Sequence, residues 1–414
     1  MPVQAQRNYP MQAATLRQDA RVIVLVGLCH GVSHFYHLIL AAVFPWLKPA
    51  FNLSYAELGL LMTVFFVISG LGQVLAGFVV DRVGAIRVLV GGLALLAVAA
   101  LVLAGARSYP MLMFGSLIAG LGNAVFHPAD YTLLNQRVST ARLAHGFALH
   151  GISGNLGWAA APLFLGGVAA ASSWRSAVLL SAIIPCVMLL LIFFNRACLR
   201  TGPGAPKTVG PAREGNFAFL RLPTVWMCFG FFLLSSIALG GIQSFAAASL
   251  VALYQVSLAS AATAYTAYML ASAGGMLAGG FIAARQREGN HDRTVVIAFA
   301  LAAGLALLLA LAVVPGAMVI PLMGAVGLAS GVAAPSRDLL IRSAAPANAS
   351  GRVFGVVYSG LDSGLAVGPL LFGALMDAHH PSWVFICIGL FQALSIATAV
   401  GVCGSKRAPV LQKA

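Results

Sequence analysis

The chain has 414 residues, of which 60% are hydrophobic and 8% are charged, against about 25% charged residues in a typical soluble domain. A soluble core cannot cover that much apolar surface, so the composition excludes a soluble enzyme. The formal net charge is +14, which in a soluble protein would favour a nucleic-acid partner. In a membrane protein the same excess marks the loops that stay in the cytoplasm.

Segments long and apolar enough to cross a bilayer, which takes about 20 residues, occur twelve times along the chain. The pattern predicts an all-α membrane protein with two six-helix bundles. The segments predicted for the first bundle are 22–47, 56–80, 86–106, 110–134, 143–170 and 174–196. Those predicted for the second bundle are 223–252, 260–284, 294–314, 317–340, 352–376 and 383–403.

The predicted domains are a tail at 1–21, a bundle at 22–196, a linker at 197–222, a second bundle at 223–403 and a tail at 404–414. The linker is rich in Gly, Pro and basic residues. Glycines and a tryptophan recur between the halves at an offset of 209, as in Trp174 and Trp383. Two similar halves in parallel are typical of a family of secondary transporters.

Basic residues fall almost entirely on one side of these segments. With the N-terminus in the cytoplasm, 21 of the 24 Lys and Arg residues are cytoplasmic, and only Lys48, Arg107 and Arg175 lie on the other side. This asymmetry predicts a multi-pass protein of the inner (cytoplasmic) membrane with both termini in the cytoplasm. It also removes the need for a nucleic-acid partner.

The turn after the second segment carries a short motif of Gly77, Asp81, Arg82 and Gly84. It resembles the G-x-x-x-D-R-x-G loop signature of the major facilitator superfamily, in which this turn latches the two halves on the cytoplasmic side. The small Gly77 is expected to allow close helix approach. Gly84 is expected to permit the tight reversal.

Two further runs are similar to the fosmidomycin-resistance group of that superfamily. They are Phe126-His127-Pro128 in the fourth segment and Gly154-Asn155-Leu156-Gly157 in the fifth. The resemblance implies a non-enzymatic, monomeric transporter that exports an anionic or drug-like small molecule by proton antiport. It implies alternating access and a proton gradient as energy source, with no cofactor. The sequence does not fix direction, so proton-coupled import of a metabolite remains an alternative.

Histidines concentrate in the first half. His30, His34 and His37 have i, i+4, i+7 spacing and share one helix face, while His127 and His150 are expected at one depth. Ionisable groups inside a membrane are costly and usually functional. The predicted proton-coupling residues are Asp362, the one acid deep within a second-half segment, with His127, His150 and His34.

The same histidine face leaves a transporter of metal ions or metal chelates as a further alternative. An intramembrane metalloenzyme fits less well, because HExxH is absent and no carboxylate shares the face of His30, His34 and His37. The predicted substrate-binding set combines histidines with polar and aromatic residues: His30, His34, His37, Tyr36, Asn123, His127, His150, Asn155, Gln243 and Tyr358.

Two acids near segment ends are predicted to form pairs at the membrane edge. Asp130 is paired with Arg137 or Arg142, and Asp338 with Arg337. The six cysteines form no CxxC pair, so they are interpreted as small core hydrophobes and not as ligands of a resident metal.

Overall fold

The computed structural model describes residues 16–199, 221, 223–285, 291–344 and 350–407. Regular structure in these ranges is helical, with two short 3-10 turns at Ala41–Val43 and Gly316–Met318. The helices before the linker are α1 Leu16–His37, α2 Phe44–Phe51, α3 Tyr55–Val83, α4 Ala85–Ala104, α5 Tyr109–Asn123, α6 Phe126–Arg137, α7 Thr140–Ala171, α8 Trp174–Ser181 and α9 Ile183–Leu199. Those after it are α10 Pro223–Tyr254, α11 Leu258–Arg285, α12 His291–Ala310, α13 Val319–Ala344, α14 Ser350–Asp377 and α15 Pro381–Arg407.

Eleven helical stretches of the described chain are long and apolar enough to span a membrane, and the bent pair of α1 and α2 makes a twelfth. The predicted all-α membrane fold is therefore confirmed. Residues 200–220 of the predicted linker and most of both tails lie outside the described residues. We call the end of the bundle at Leu199 and Pro223 the linker side and the opposite end the far side.

Three of the spans predicted for the first half consist of two helices each. The first bends by 46° between α1 and α2, and the fourth and sixth break between α5 and α6 and between α8 and α9. Each break lies about four residues before a proline, namely Pro45, Pro128 and Pro185. Proline has no N–H for the carbonyl one turn back and its ring crowds that turn, so the helix is interrupted there.

Glycines bring neighbouring helices into backbone contact, most densely between α11 and α13. A Cβ at Gly331 would overlap the Ser272 carbonyl, and one at Gly327 would overlap that of Tyr268. Between the halves, α3 packs along α14, where a Cβ at Gly59 would overlap the Pro369 carbonyl. Helices α7 and α11 form a second contact between the halves. Such small-residue seams are the usual means of tight packing in membranes.

Candidate functional site

Five histidines from three helices meet inside the first half, and we call them the histidine cluster: His30, His34 and His37 of α1, His127 of α6 and His150 of α7. The centroid of the His30 ring lies 4.3 Å from that of His34, 5.2 Å from His127 and 3.5 Å from His150. The His34 and His37 rings stack at 4.7 Å. The structure thus brings together the five histidines singled out in the sequence.

Glycines on α7 make room for these rings against α1. A Cβ at Gly154 would stand 2.6 Å from the ring of His34, and one at Gly157 would overlap the Gly31 carbonyl. The two glycines of the G-N-x-G run therefore allow α7 to pack closely against α1 and against the imidazole of His34.

Asp130 lies within the histidine cluster, so its predicted pairing with Arg137 or Arg142 is wrong. Its side chain is fully buried, with Oδ2 3.2 Å from His150 Nε2 and 3.5 Å from His30 Nδ1. It lies one turn of α6 beyond His127, which places both on the helix face toward α1 and α7. A carboxylate thus joins the histidines from another helix, which the pattern along α1 could not reveal.

The two arginines instead serve the linker-side rim. Arg142 Nε is 2.7 Å from Oδ2 of the buried Asp19, which also accepts a hydrogen bond from Ser139 Oγ. Arg137 donates to the Cys198 carbonyl. These contacts tie the start of α1 and the end of α9 to the turn between α6 and α7. The side chain of Asp338, the other predicted edge acid, lies outside the described residues.

Asn123 is a hydrogen-bonding hub at the break between α5 and α6. Its Oδ1 accepts from Ser33 Oγ at 2.5 Å and lies 3.2 Å from His37 Nε2, while its Nδ2 donates to Ser69 at 2.8 Å. Trp158 donates to His37 Nδ1, so the neutral His37 carries its proton on Nε2. These partners satisfy the polar groups of Asn123 and His37 inside the bundle.

Gln73 of α3 links the histidine cluster to the second half. Its Oε1 lies 2.8 Å from His127 Nδ1, and its Nε2 donates to Asp362 Oδ2 at 3.3 Å. Asp362 lies beside Gly70 on the contact between α3 and α14. Asp130, His30, His127, Gln73 and Asp362 are neighbours in space and extend in this order from the first half into the second. We call these five side chains the polar chain.

A cavity of about 560 Å³ opens between the far-side parts of both halves. Its walls are mainly apolar, and Lys48 is the one charged residue among the described residues that line it. Gln243 and Tyr265 line it as well. Both are more than nine-tenths buried, and the Gln243 amide and the Tyr265 hydroxyl have no hydrogen-bond partner among the described residues. Such groups are available to a ligand.

The other predicted substrate-binding residues lie elsewhere. Tyr36 is fully buried and donates to the Ser181 carbonyl, away from the cavity. Asn155 lies 2.8 Å from the Met276 sulfur, at the contact between α7 and α11. The side chain of Tyr358 lies outside the described residues. His37 directly precedes Leu38, which lines the cavity, so the histidine cluster adjoins the cavity without forming its wall.

The predicted latch lies on the linker side, at the junction of α3 and α4. Gly84 lies at the reversal between the two helices with a φ of 90°, which a glycine adopts without strain. No described atom lies within 4 Å of a Cβ placed at Gly77, so close helix approach is not found there. Asp81 and Arg82 are exposed, and no described residue forms an ion pair with Asp81.

A contact between the halves that the sequence reasoning missed lies on the far side. The Asp377 carboxylate at the end of α14 accepts hydrogen bonds from the backbone N–H groups of Tyr55 and Ala56, at 2.7 and 2.8 Å. These amides belong to the first turn of α3, where backbone donors lack helical partners. Two features of the sequence could have indicated this contact. Asp377 is an acid at the end of a span, and α3 begins with a Ser54–Glu57 capping box, which marks a helix N-terminus.

The described residues form two bundled halves with a cavity between them and with polar side chains inside helices that are long and apolar enough to span a membrane. Residues 25–358 match the family model of the Major Facilitator Superfamily, and the chain belongs to this family.

Curated relatives match only part of the chain. It is 28% identical over 143 residues to the uncharacterized MFS-type transporter YfnC of Bacillus subtilis (strain 168), with 34% of each chain covered. It is 25% identical over 149 residues to the fosmidomycin resistance protein of Escherichia coli (strain K12), with 36% of each covered. The chain thus spans about a third of the length of these relatives.

Similarity in structure extends over nearly the whole chain. A bacterial homologue of the human lysosomal transporter Spinster, solved in an inward-facing and occupied conformation, matches with a TM-score of 0.73. The match covers 94% of this chain and 96% of the other at 15% identity, which establishes the shared fold alone.

Proposed function

We propose that this protein is a secondary active transporter that couples protons to the movement of a small anionic or drug-like molecule. It works by alternating access in the inner (cytoplasmic) membrane, with both termini in the cytoplasm. It exports its substrate by antiport, using the proton gradient as its energy source, without a cofactor or catalytic activity, and acts as a monomer. The similarity to a fosmidomycin resistance protein supports export.

The polar chain is the observation that carries the proton-coupling part of this proposal. Asp130 and Asp362 are acids inside membrane-spanning helices, where unpaired charge is costly. Imidazoles lie beside Asp130, and Gln73 bridges His127 to Asp362. Ionisable side chains, joined across the contact by the Gln73 amide, therefore extend between the two halves, which must move relative to each other during alternating access.

The cavity supports the proposal that the substrate is a small anionic or drug-like molecule. Apolar walls favour an organic molecule, the Lys48 ammonium favours a negative charge, and Gln243 and Tyr265 offer an amide and a hydroxyl to orient it. A mainly apolar pocket with a few convergent polar groups is the usual design of a small-molecule site. Since the histidine cluster adjoins this cavity, substrate and proton would occupy neighbouring sites.

The test uses proteoliposomes that enclose a pH-sensitive dye, with fosmidomycin as the probe compound. We expect fosmidomycin to move against a pH-driven gradient in the native protein. Asp362→Asn and His127→Ala should each abolish this uphill movement while leaving exchange of labelled fosmidomycin, because exchange needs no net proton transfer. Asp292→Asn, a partly exposed acid at the start of α12 and outside the polar chain, is the matched control.

Uphill transport that persists in both variants would contradict the proton-coupling assignment. Absence of fosmidomycin movement by the native protein would instead contradict the substrate assignment, and leaves the fold and family as they are.

A further inference from the structure

Three imidazoles of the histidine cluster are arranged as metal ligands. His30, His34 and His127 each offer a ring nitrogen, and these atoms lie within 4.8 Å of one another. His30 and His34 are separated by one helical turn, a spacing that directs two imidazoles to one ion. Ligand atoms of tetrahedral Zn²⁺, at about 2.0–2.1 Å from the metal, lie about 3.3 Å apart, which modest rotation of the three rings would reach.

The residues behind two of these rings resemble the outer shell of a metal site. His127 Nδ1 lies 2.8 Å from Gln73 Oε1, and the Gln73 amide nitrogen faces the Asp362 carboxylate. This orientation makes Nδ1 the donor and leaves the lone pair of His127 on Nε2. His30 Nδ1 lies 3.5 Å from Asp130 Oδ2. Ligating imidazoles usually turn their second nitrogen toward such an oxygen, which fixes the tautomer and strengthens the ligand.

Buried polar atoms near the rings lack partners. Neither His34 Nδ1 nor Asp130 Oδ1 has a hydrogen-bond partner among the described residues, although Asp130 is fully buried. Burying polar groups without compensation is costly. A cation held by the neighbouring imidazoles would stabilise the Asp130 carboxylate by charge attraction.

A second group of possible ligands, His30, Asp130 and His150, is less suitable. The His30 and His150 rings are stacked at 3.5 Å with an interplanar angle of 21°. A metal ion lies close to the plane of each imidazole that binds it, and two stacked rings cannot both meet that condition. The rings of His34 and His127 are tilted from His30 by 53° and 62°, which lets their planes converge.

We propose that His30, His34 and His127 bind one divalent transition-metal ion of the class that imidazole prefers, such as Zn²⁺ or Ni²⁺. A water molecule completes the coordination, and Asp130 and Gln73 orient the ligands. His127 is partly exposed and provides the route of entry. The site shares His30, His127 and Gln73 with the polar chain, but it does not rest on the proposed transport function, since metal binding is measured without transport.

The test is Zn²⁺ binding by the full-length protein, purified without a histidine tag, stripped with chelator and measured by equilibrium dialysis. We expect one bound ion per chain. His34→Ala and His127→Ala should each weaken binding at least tenfold, and Gln73→Leu should weaken it about tenfold through the ligand shell. His380→Ala, an exposed histidine on the far side, should leave it unchanged.

Co²⁺ gives a second readout, because tetrahedral coordination produces visible absorption bands. The bands should form in the native protein and in His380→Ala, and be lost in His34→Gln, the variant to use if alanine impairs folding. One-site binding that survives in both His34 and His127 variants, or the absence of binding by the native protein, would overturn the proposal.

Discussion

The two halves of this protein share the order of six spans but stabilise their interiors by different means. The first half holds Asp19, Asp130 and the histidine cluster inside its bundle, and three of its spans break before prolines. In the second half α11 and α13 pack backbone against backbone at glycines such as Gly327 and Gly331. Even the repeated tryptophans differ, since Trp174 is buried and Trp383 is half exposed. The two halves therefore share their helical architecture, while most of the ionisable side chains inside the bundle lie in the first half.

The largest effect is expected at the glycine seam of the second half. Gly331→Leu places a side chain where a Cβ alone would overlap the Ser272 carbonyl. Overpacking of this kind costs about 1–3 kcal/mol and sometimes more, so we expect little monodisperse protein and a clearly lower melting temperature. Gly304→Leu, where no described atom lies within 4 Å of the added Cβ, is the control. Equal yields and equal melting temperatures of the two variants would contradict the claim that α11 and α13 need a glycine at position 331 to pack closely.

Cutting the link between the halves should affect coupling more than folding. Gln73→Leu removes the amide between His127 and Asp362, and we expect uphill transport in proteoliposomes to fall at least tenfold while exchange stays within about twofold. Gln392→Leu removes a buried amide of the second half outside the polar chain and should retain coupling. If coupling survives Gln73→Leu, protons do not pass between the halves by this route.

The linker-side rim of the first half should contribute moderately to stability. Asp19→Asn weakens the hydrogen bonds from Ser139 and Arg142, and bonds to a charged group contribute about 1.5–3 kcal/mol. We expect a lower melting temperature with the fold retained. Asp292→Asn, at a partly exposed acid of α12, should melt like the native protein. If Asp19→Asn also melts like the native protein, the buried ion pair contributes nothing to stability.

The far-side contact should have the smallest effect. Asp377→Asn removes a negative charge from the first turn of α3, worth about 0.3–1 kcal/mol. The contact between Asp377 and Tyr55 holds the halves together, so its weakening should open the cavity more often. A cysteine introduced at Ala170, which lines the cavity, should react up to about fivefold faster with a thiol reagent. An unchanged rate would show that this contact does not control the opening of the cavity.

Much of the fold could be predicted from the sequence, because apolar segment length and basic residue placement are local signals. The histidine face of α1 could also be predicted from the sequence, since i, i+4 spacing fixes which side chains share a helix face. Asp130 was misread for a physical reason: proximity along the chain favoured Arg137 and Arg142, whereas packing of α6 against α1 and α7 turned the carboxylate inward. The links from Gln73 to Asp362 and from Asp377 to Tyr55 join residues about 290–320 positions apart, which no local pattern specifies.

The central claim is that Asp130 and Asp362, acids of different halves, belong to one proton-exchanging chain. Infrared difference spectroscopy of the membrane-reconstituted protein between two pH values tests it without a substrate. We predict a protonated carboxyl C=O band that disappears in Asp362→Asn and whose titration midpoint shifts in Asp130→Asn and in Gln73→Leu. A band unchanged in Asp362→Asn, or an Asp362 band whose midpoint is the same in all other variants, would contradict the account.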